Sequence, residues 1–236
     1  MYGLLLAVIY LAFISLGLPD SLLGSAWPVM YQTFHVPVSF AGIVSMIISG
    51  GTIVSALVSD RLTYKFGAGK VTAVSVFLTA AALFGFSVSN SFAVLCLFAI
   101  PYGLGAGAID AALNNYVALH FKPRHMSWLH CCWGIGATLG PIIVTSLIAE
   151  GFGWRAGYRT IGCVQLGLSA ILFASLGLWG IVQRQRDGSG TELEEKSEEA
   201  PRGTEPKNET GNESIGDKTR AARQKKAMSI QIAIYA

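Results

Sequence analysis

Two acidic side chains lie deep inside long apolar stretches of the sequence, Asp20 in GLPDSLLGSAWP and Asp110 in GAIDAALNN. A charged carboxylate at the centre of a bilayer costs about 2.5 to 3.5 kcal/mol on insertion scales, so such residues usually face a cavity or a partner. No Lys or Arg within the apolar stretches is placed to pair with either acid. Because an unpaired carboxyl in apolar surroundings can exchange protons near neutral pH, both acids are candidates for binding a proton or a polar solute.

Small and polar residues share a helix face with each acid. The first such stripe has spacings of four, three and four, and consists of Gly103, Gly107, Asp110 and Asn114. A similar stripe consists of Gly17, Asp20, Gly24 and Pro28. Small residues allow a neighbouring backbone to approach, so we expect close helix packing along these faces.

An imidazole and an indole follow in a later stretch, SWLHCCWGIGATLGP. His130 and Trp133 share a helix face, and the indole could stack on the apolar face of a sugar ring. A histidine in a membrane helix is as often bonded to a neighbouring helix as it is part of a substrate or proton site, and both interpretations of His130 stay open. His120, His125 and His130 do not share a face, so no metal site is expected.

The composition indicates which scaffold must hold these side chains. Of 236 residues, 52% are hydrophobic and 13% are charged, which excludes an ordinary soluble domain and indicates a membrane protein. Ten of the 17 basic and ten of the 14 acidic residues fall within residues 184–226. The net charge of +3 therefore averages a polar segment with an apolar body, and a nucleic-acid partner is excluded.

Six apolar stretches have the length of about 20 residues that a helix needs to cross a lipid bilayer. We predict an all-α, polytopic membrane helix bundle with spans at residues 2–34, 38–58, 71–89, 92–119, 128–149 and 156–182. Residues 1–183 form this bundle, and residues 184–226 are predicted to be a disordered, charged cytoplasmic linker. Residues 227–236 are predicted to be the start of a seventh transmembrane helix, inside which the chain stops.

Basic residues between the spans predict the orientation of the bundle. The loops after spans two and four contain Arg61, Lys65, Lys70, Lys122 and Arg124, whereas the alternate loops contain Arg155 and Arg159. Cationic loops are retained in the cytoplasm. We therefore expect a multi-pass protein of the cell membrane whose N-terminus is cytoplasmic.

Six spans, a charged linker and the start of another span describe one half of a larger protein. In architectures built from two parallel six-span halves, each half contains 3+3 inverted repeats and the substrate lies between the halves. The sequence resembles the N-terminal half of a major facilitator superfamily transporter, and within that superfamily the fucose permease-like sugar:proton symporters. The segments GLPDSLLGSAWP and GAIDAALNN carry the resemblance, which covers residues 1–182.

The resemblance implies that Asp20 and Asp110 serve in substrate binding and proton coupling, with Asn114, Asn115 and His130 as further pocket residues. A missing C-terminal six-helix half would supply the rest of the pocket. The resemblance also implies a gating loop between spans two and three, formed by Asp60, Arg61, Lys65 and Lys70. This loop departs from the superfamily pattern, because Ala56 replaces a glycine and Gly67 comes four positions late. The alternative is a basic loop that only fixes orientation.

Together these features predict a secondary transporter that takes up a sugar or related small polar solute, with a proton as coupling ion and no other cofactor. A drug or metabolite efflux antiporter stays open, because GATLGP at residues 136–141 partly resembles the antiporter signature. A six-span scaffold or half-size transporter is a third possibility. No G-x-S-x-G, H-E-x-x-H or Ser-x-x-Lys pattern lies within a span, so we expect no catalytic residues and no enzyme.

Overall fold

A computed structural model of the chain describes residues 2–179, with side chains from residue 3 onward. Its α-helices are α1 (Tyr2–Asp20), α2 (Leu22–Phe34), α3 (Ala41–Phe66), α4 (Ala68–Val88), α5 (Phe92–His120), α6 (Arg124–Ala149) and α7 (Gly153–Ala174). A 3-10 turn, Val38–Phe40, precedes α3, and residues 2–179 contain no strand. The predicted all-α class is confirmed. The predicted linker at 184–226, the predicted seventh helix at 227–236 and the end of span six lie outside the described residues.

Five helical segments of the described region are long and apolar enough to cross a membrane: Gly3–Phe34, Val38–Phe66, Ala68–Val88, Phe92–His120 and Arg124–Ala149. They confirm a polytopic membrane helix bundle. The sixth predicted span corresponds to α7, which carries Arg155 and Arg159 near its start and is not among the five. The count of six spans therefore stays a prediction.

The predicted boundary between spans two and three was wrong. Helix α3 continues past residue 58 to Phe66, and Gly67 alone separates it from α4. Gly67 has φ of 85°, a left-handed conformation that side chains with a Cβ rarely adopt. The apolar residues of a helix mark the part that lies in lipid. The helix itself can continue through charged residues until a residue with a non-helical backbone conformation ends it, here Gly67. Asp60, Arg61 and Lys65 therefore lie on a helix and not in a loop.

The first predicted span is interrupted at its centre. Helix α1 ends at Asp20 and α2 begins at Leu22, with Ser21 in a turn between them. Pro19 lies two residues before this turn, and because it has no backbone N–H it leaves the Ser15 carbonyl without its usual helical donor. The Ser21 carbonyl accepts hydrogen bonds from both the backbone N–H and the hydroxyl of Ser25. Asp20 thus lies at a helix end inside an otherwise apolar span.

Helices α1 and α6 pack against each other through glycines. A Cβ added at Gly17 would overlap the Trp133 carbonyl, and one added at Gly140 would overlap the Leu18 carbonyl. Gly136 likewise lies against the carbonyl of Ile14. The absence of side chains lets the two backbones touch, as expected for membrane helices that associate through small residues.

Helices α3 and α5 form a second close pair, which we call the α3–α5 seam. Gly103 lies against the Ile48 carbonyl and Gly107 against the Thr52 carbonyl. The Thr52 hydroxyl also donates to the Gly103 carbonyl at 3.3 Å. Because the sequence separation stays at 55 along the contact, the two helices run parallel. The glycine stripe predicted on α5 is confirmed as a packing face.

A buried polar pair joins α1 to α7. The Ser15 hydroxyl donates to Gln165 Oε1, and Gln165 Nε2 donates to the Ser15 carbonyl at 2.8 Å. Both residues are buried in the bundle. Both the oxygen and the nitrogen of the Gln165 side-chain amide therefore have a hydrogen-bond partner on α1.

We expect Gln165→Leu to destabilise the protein by about 1 to 3 kcal/mol, because the buried Ser15 hydroxyl loses its acceptor. Gln32→Leu, at an exposed position of α2, is the matched control and should be close to neutral. Thermal unfolding of both variants in detergent measures the difference. Equal stability of the two variants would show that the pair does not hold α7 in place.

Candidate functional site

The Asp20 carboxylate is held by two helices other than its own. Tyr102 on α5 donates its hydroxyl to Asp20 Oδ1 at 3.1 Å. Trp133 on α6 donates its indole Nε1–H to Asp20 Oδ2 at 2.7 Å. Asp20 accepts both bonds at the C-terminal end of α1, where the break in the span occurs. One carboxylate therefore connects α1, α5 and α6.

Asp110 has a less complete set of partners. Asn114, one turn later on α5, donates from Nδ2 to Asp110 Oδ1 at 3.0 Å. The His130 imidazole on α6 lies within electrostatic range of Asp110, and Asp110 lies within that range of Asp20. Across residues 3–179, no Lys or Arg forms an ion pair with either acid. Asp110 is exposed on the surface of the bundle and is the carboxylate with more freedom to bind something else.

His130 and Trp133 complete this surface. Both lie on α6 and both are exposed, with 38% of Trp133 accessible. The imidazole also packs edge-on against Phe13, with ring centroids 6.1 Å apart. Four of the predicted site residues, contributed by α1, α5 and α6, are thus brought together. We call Asp20, Asp110, His130 and Trp133 the acid cluster.

The two asparagines of α5 point to different neighbours. Asn114 is half-buried and bonded to Asp110 beside the acid cluster. Asn115 is exposed, and its Nδ2 donates to Asp60 Oδ1 on α3 at 3.4 Å. Asn115 therefore lies with the residues predicted to form the gate and not with Asp110.

The predicted gating residues lie around the turn between α3 and α4. Asp60, Arg61 and Lys65 are on the last turns of α3, and Lys70 is in the first turn of α4. All four side chains are exposed, and the Lys65 ammonium lies 5.4 Å from the centroid of the Phe66 ring. The structure keeps these charges together at one end of the bundle.

A cavity of about 280 Å³ adjoins Asp20. Its polar lining consists of Asp20, Ser45, Ser49, Tyr102 and Tyr158, and apolar side chains of α2, α3, α4 and α5 complete it. A carboxylate, hydroxyls and aromatic rings together suit a small polar solute better than a purely apolar one.

Tyr102 is the hydrogen-bond partner of Asp20 that the sequence analysis missed. It is 3% exposed and 82 residues from its partner Asp20, so only the packing of α5 against the broken first span brings the two together. One signal was available: a tyrosine inside an apolar span needs a hydrogen-bond partner for its hydroxyl, and acceptors there are few.

Membrane-length helices in an all-helical bundle are typical of a multi-pass membrane protein. Two acids gathered on one surface, without a Lys or Arg partner among the described residues, are typical of a site for a solute or an ion. Residues 9–232 match the sequence profile of the Major Facilitator Superfamily, and the chain belongs to that family. This family, like the relatives described next, is one of transporters and not of enzymes.

Three curated relatives are named as transporters. The uncharacterized transporter y4wD of Sinorhizobium fredii is 28% identical over 118 residues, which cover 48% of this chain and 31% of that protein. The uncharacterized transporter YybO of Bacillus subtilis is 25% identical over 60% of this chain and 33% of its own length. The glucose/mannose transporter GlcP of Bacillus subtilis is 21% identical over 59% of this chain and 35% of its own. The match thus spans about a third of each relative.

Proposed function

We propose that this chain is the N-terminal six-span half of a proton-coupled transporter, which takes up a sugar or related small polar solute by alternating access. The observation that carries the proposal is the acid cluster. Two carboxylates that have no Lys or Arg partner within residues 3–179 lie beside an imidazole and an indole on one surface of a membrane bundle. Ionisable groups in such a place are costly unless they bind a solute or an ion. Protonation of one acid would bias which side of the membrane the site faces.

The chemistry of the site supports a hydroxyl-rich solute. Trp133 offers an aromatic face for stacking, and Asp20 and Asp110 offer acceptors for sugar hydroxyl groups. The likeness to a protein named as a glucose/mannose transporter supports the same substrate class. Within the superfamily, we assign the chain to the fucose permease-like symporters on the two acidic segments.

Helix pairing supports a 3+3 inverted repeat. Span one packs on span five through Gly17, and span four packs on span two through Gly107. In a 3+3 repeat, span one corresponds to span four and span five corresponds to span two. The pair formed by spans one and five is therefore equivalent to the pair formed by spans four and two. In both spans an acid follows the packed glycine by three residues, giving Asp20 and Asp110. The positive-inside bias then puts the N-terminus in the cytoplasm, in a multi-pass protein of the cell membrane.

The charged turn between α3 and α4 is proposed as the cytoplasmic gate. Asp60, Arg61, Lys65 and Lys70 are exposed beside the single-residue turn at Gly67, where they can pair with the missing C-terminal half. Making and breaking such pairs would accompany the rocking of the two halves.

Efflux by an antiporter of the same superfamily is the second candidate, and it rests on the segment GATLGP. Gly136 and Gly140 of that segment lie against the backbone of α1. Helix packing alone therefore accounts for these glycines, and we place uptake first.

Transport by the complete protein tests the proposal. We expect an inwardly directed proton gradient to drive accumulation of radiolabelled glucose or a related monosaccharide in proteoliposomes, and a protonophore to abolish it. Solute expelled against the incoming protons would select the antiporter. Failure of the gradient to move any monosaccharide in either direction would contradict the proposed substrate class.

A further inference from the structure

Three buried polar atoms without a hydrogen-bond partner in the part of the chain that the structure describes belong to residues near one end of the α3–α5 seam. They are Ser59 Oγ, Thr63 Oγ1 and Asn114 Oδ1. The Ser59 side chain is 1% exposed. Burying a hydroxyl or an amide oxygen without a partner is unfavourable, so a group that satisfies them belongs at this place.

The register of the seam places Ser59 opposite Asn114, and Thr63 lies one turn further along the same face of α3. Ile48 lies against Gly103 and Thr52 against Gly107, each pair separated by 55 residues. Asp60 and Asn115 keep the same separation and are hydrogen-bonded at 3.4 Å. Ser59 and Asn114 are their immediate neighbours and share that separation, so they face each other across the seam.

The two hydroxyls are not satisfied by their own helix. Thr52 and Thr72 donate to the carbonyls four residues earlier, at 3.0 and 2.8 Å. Ser59 and Thr63 make no such bond within the described chain. Val44 and Ser59 are the two buried residues of α3. Because α3 packs mainly against α5, the contact with α5 accounts for the burial of Ser59. Two hydroxyls that can donate and one oxygen that accepts form a suitable set of partners for one water molecule.

Polar contacts continue from this place in both directions. On one side Asn114 donates to Asp110 of the acid cluster. On the other side Asn115 donates to Asp60 near the end of α3. The titratable groups that interact electrostatically with Asp110 are His130 from α6 and Asp20 from α1. The charged residues that follow Asp60 on α3 are Arg61 and Lys65.

We propose that Ser59, Thr63 and Asn114 bind a water molecule that lies on the proton path between Asp110 and Asp60. The Ser59 hydroxyl donates to this water, and the water donates to Asn114 Oδ1 and to Thr63 Oγ1, so one lone pair of the water is free to accept the proton that the Asp110 carboxyl releases. The water passes a proton to the Thr63 hydroxyl, which gives its own proton to the Asp60 carboxylate. The Asn114 amide orients the water, the Asn115 amide holds the Asp60 carboxylate, and neither amide ionises. The path rests on the proposed proton coupling, whereas the water site does not.

The water site is tested by a high-resolution structure of the complete transporter. Density within hydrogen-bond distance of Ser59 Oγ, Thr63 Oγ1 and Asn114 Oδ1 is expected in the wild type and should be lost in Ser59→Ala. A Ser59 hydroxyl bonded to a carbonyl of its own helix, with no density in the seam, would overturn the site whether or not the protein is proton-coupled.

The path is tested by comparing two assays in proteoliposomes, with labelled glucose or the related monosaccharide that the wild type transports. Ser59→Ala is expected to slow proton-driven uptake about tenfold, because a proton relay is interrupted, and to leave substrate counterflow unchanged. Ser87→Ala is the control, since Ser87 is buried but its hydroxyl already donates to the Phe84 carbonyl at 2.8 Å. Equal loss in both assays would indicate a structural role, and unchanged uptake would exclude the path. A wild type without proton coupling would overturn the path together with the proposed function, while the density still decides the water site.

Discussion

An Asp110→Asn variant of the complete transporter is expected to lose proton-driven accumulation by about a hundredfold or more, while it still exchanges substrate across the membrane. The amide has the shape of the carboxyl and can accept the bond from Asn114, but it has no proton to exchange near neutral pH. Counterflow needs the binding site and the conformational change, and it does not need release of the proton. Uptake driven by a pH gradient, measured beside counterflow, separates the two functions.

Glu150→Gln is the matched control for this substitution. Glu150 is an exposed acid directly after α6 and lies outside the acid cluster, so both assays should stay within about twofold of the wild type. Proton-driven accumulation that survives in Asp110→Asn would show that Asp110 is not the coupling group. Loss of counterflow together with accumulation would instead assign Asp110 to binding of the substrate.

Replacing Gly140 by alanine is expected to destabilise the bundle by about 1 to 3 kcal/mol or more, because the new methyl group would overlap the Leu18 carbonyl of α1. Backbone atoms of a packed helix cannot move aside as the tip of a flexible side chain can. The two helices must therefore separate or shift. Thermal unfolding of the purified transporter in detergent measures the effect.

Gly134→Ala on the same helix is the control for this effect. Apart from the adjacent residues and the backbone of its own helix, no atom of the described chain lies within 4 Å of the position that its Cβ would take. We expect Gly134→Ala to be neutral or to stabilise the protein by up to about 1 kcal/mol, since alanine is the better helix former. If the two alanine variants unfold at the same temperature, the α1–α6 contact is looser than described.

The packing faces of the acidic helices could be predicted from spacing alone. Gly103 and Gly107 were expected on one stripe with Asp110, and both glycines lie against the backbone of α3. The helical period fixes which residues share a face whatever surrounds the helix, so this inference does not depend on the tertiary fold. Apolar length likewise identified the five membrane-length segments.

Helix ends and long-range partners could not be predicted in this way. Hydropathy follows the lipid boundary, so it placed the end of span two at residue 58, although α3 continues to Phe66. Asp20 was expected to lack a partner, but Tyr102 and Trp133 donate to it from helices far away in the sequence. Such contacts depend on which helices become neighbours, and no periodicity within one helix contains that information.

The difference between the two acids has a physical consequence. Both oxygens of Asp20 accept a hydrogen bond from a neighbouring helix, whereas Asp110 accepts one from Asn114 on its own helix. Hydrogen bonds from Tyr102 and Trp133 are made best to a carboxylate, so protonating or neutralising Asp20 would loosen the contact of α1 with α5 and α6. Asp20 is therefore expected to affect the arrangement of the helices, and Asp110 to bind the proton.

The central claim is that Asp20 and Asp110 couple proton binding to binding of the solute. The most direct test is to add substrate to de-energised proteoliposomes that contain the complete transporter, while a pH-sensitive dye reports the external medium. The medium should become alkaline as protons enter with the substrate, and this change should be absent from both Asp20→Asn and Asp110→Asn but present in Glu150→Gln. An undiminished alkaline change in the two aspartate variants would contradict the claim.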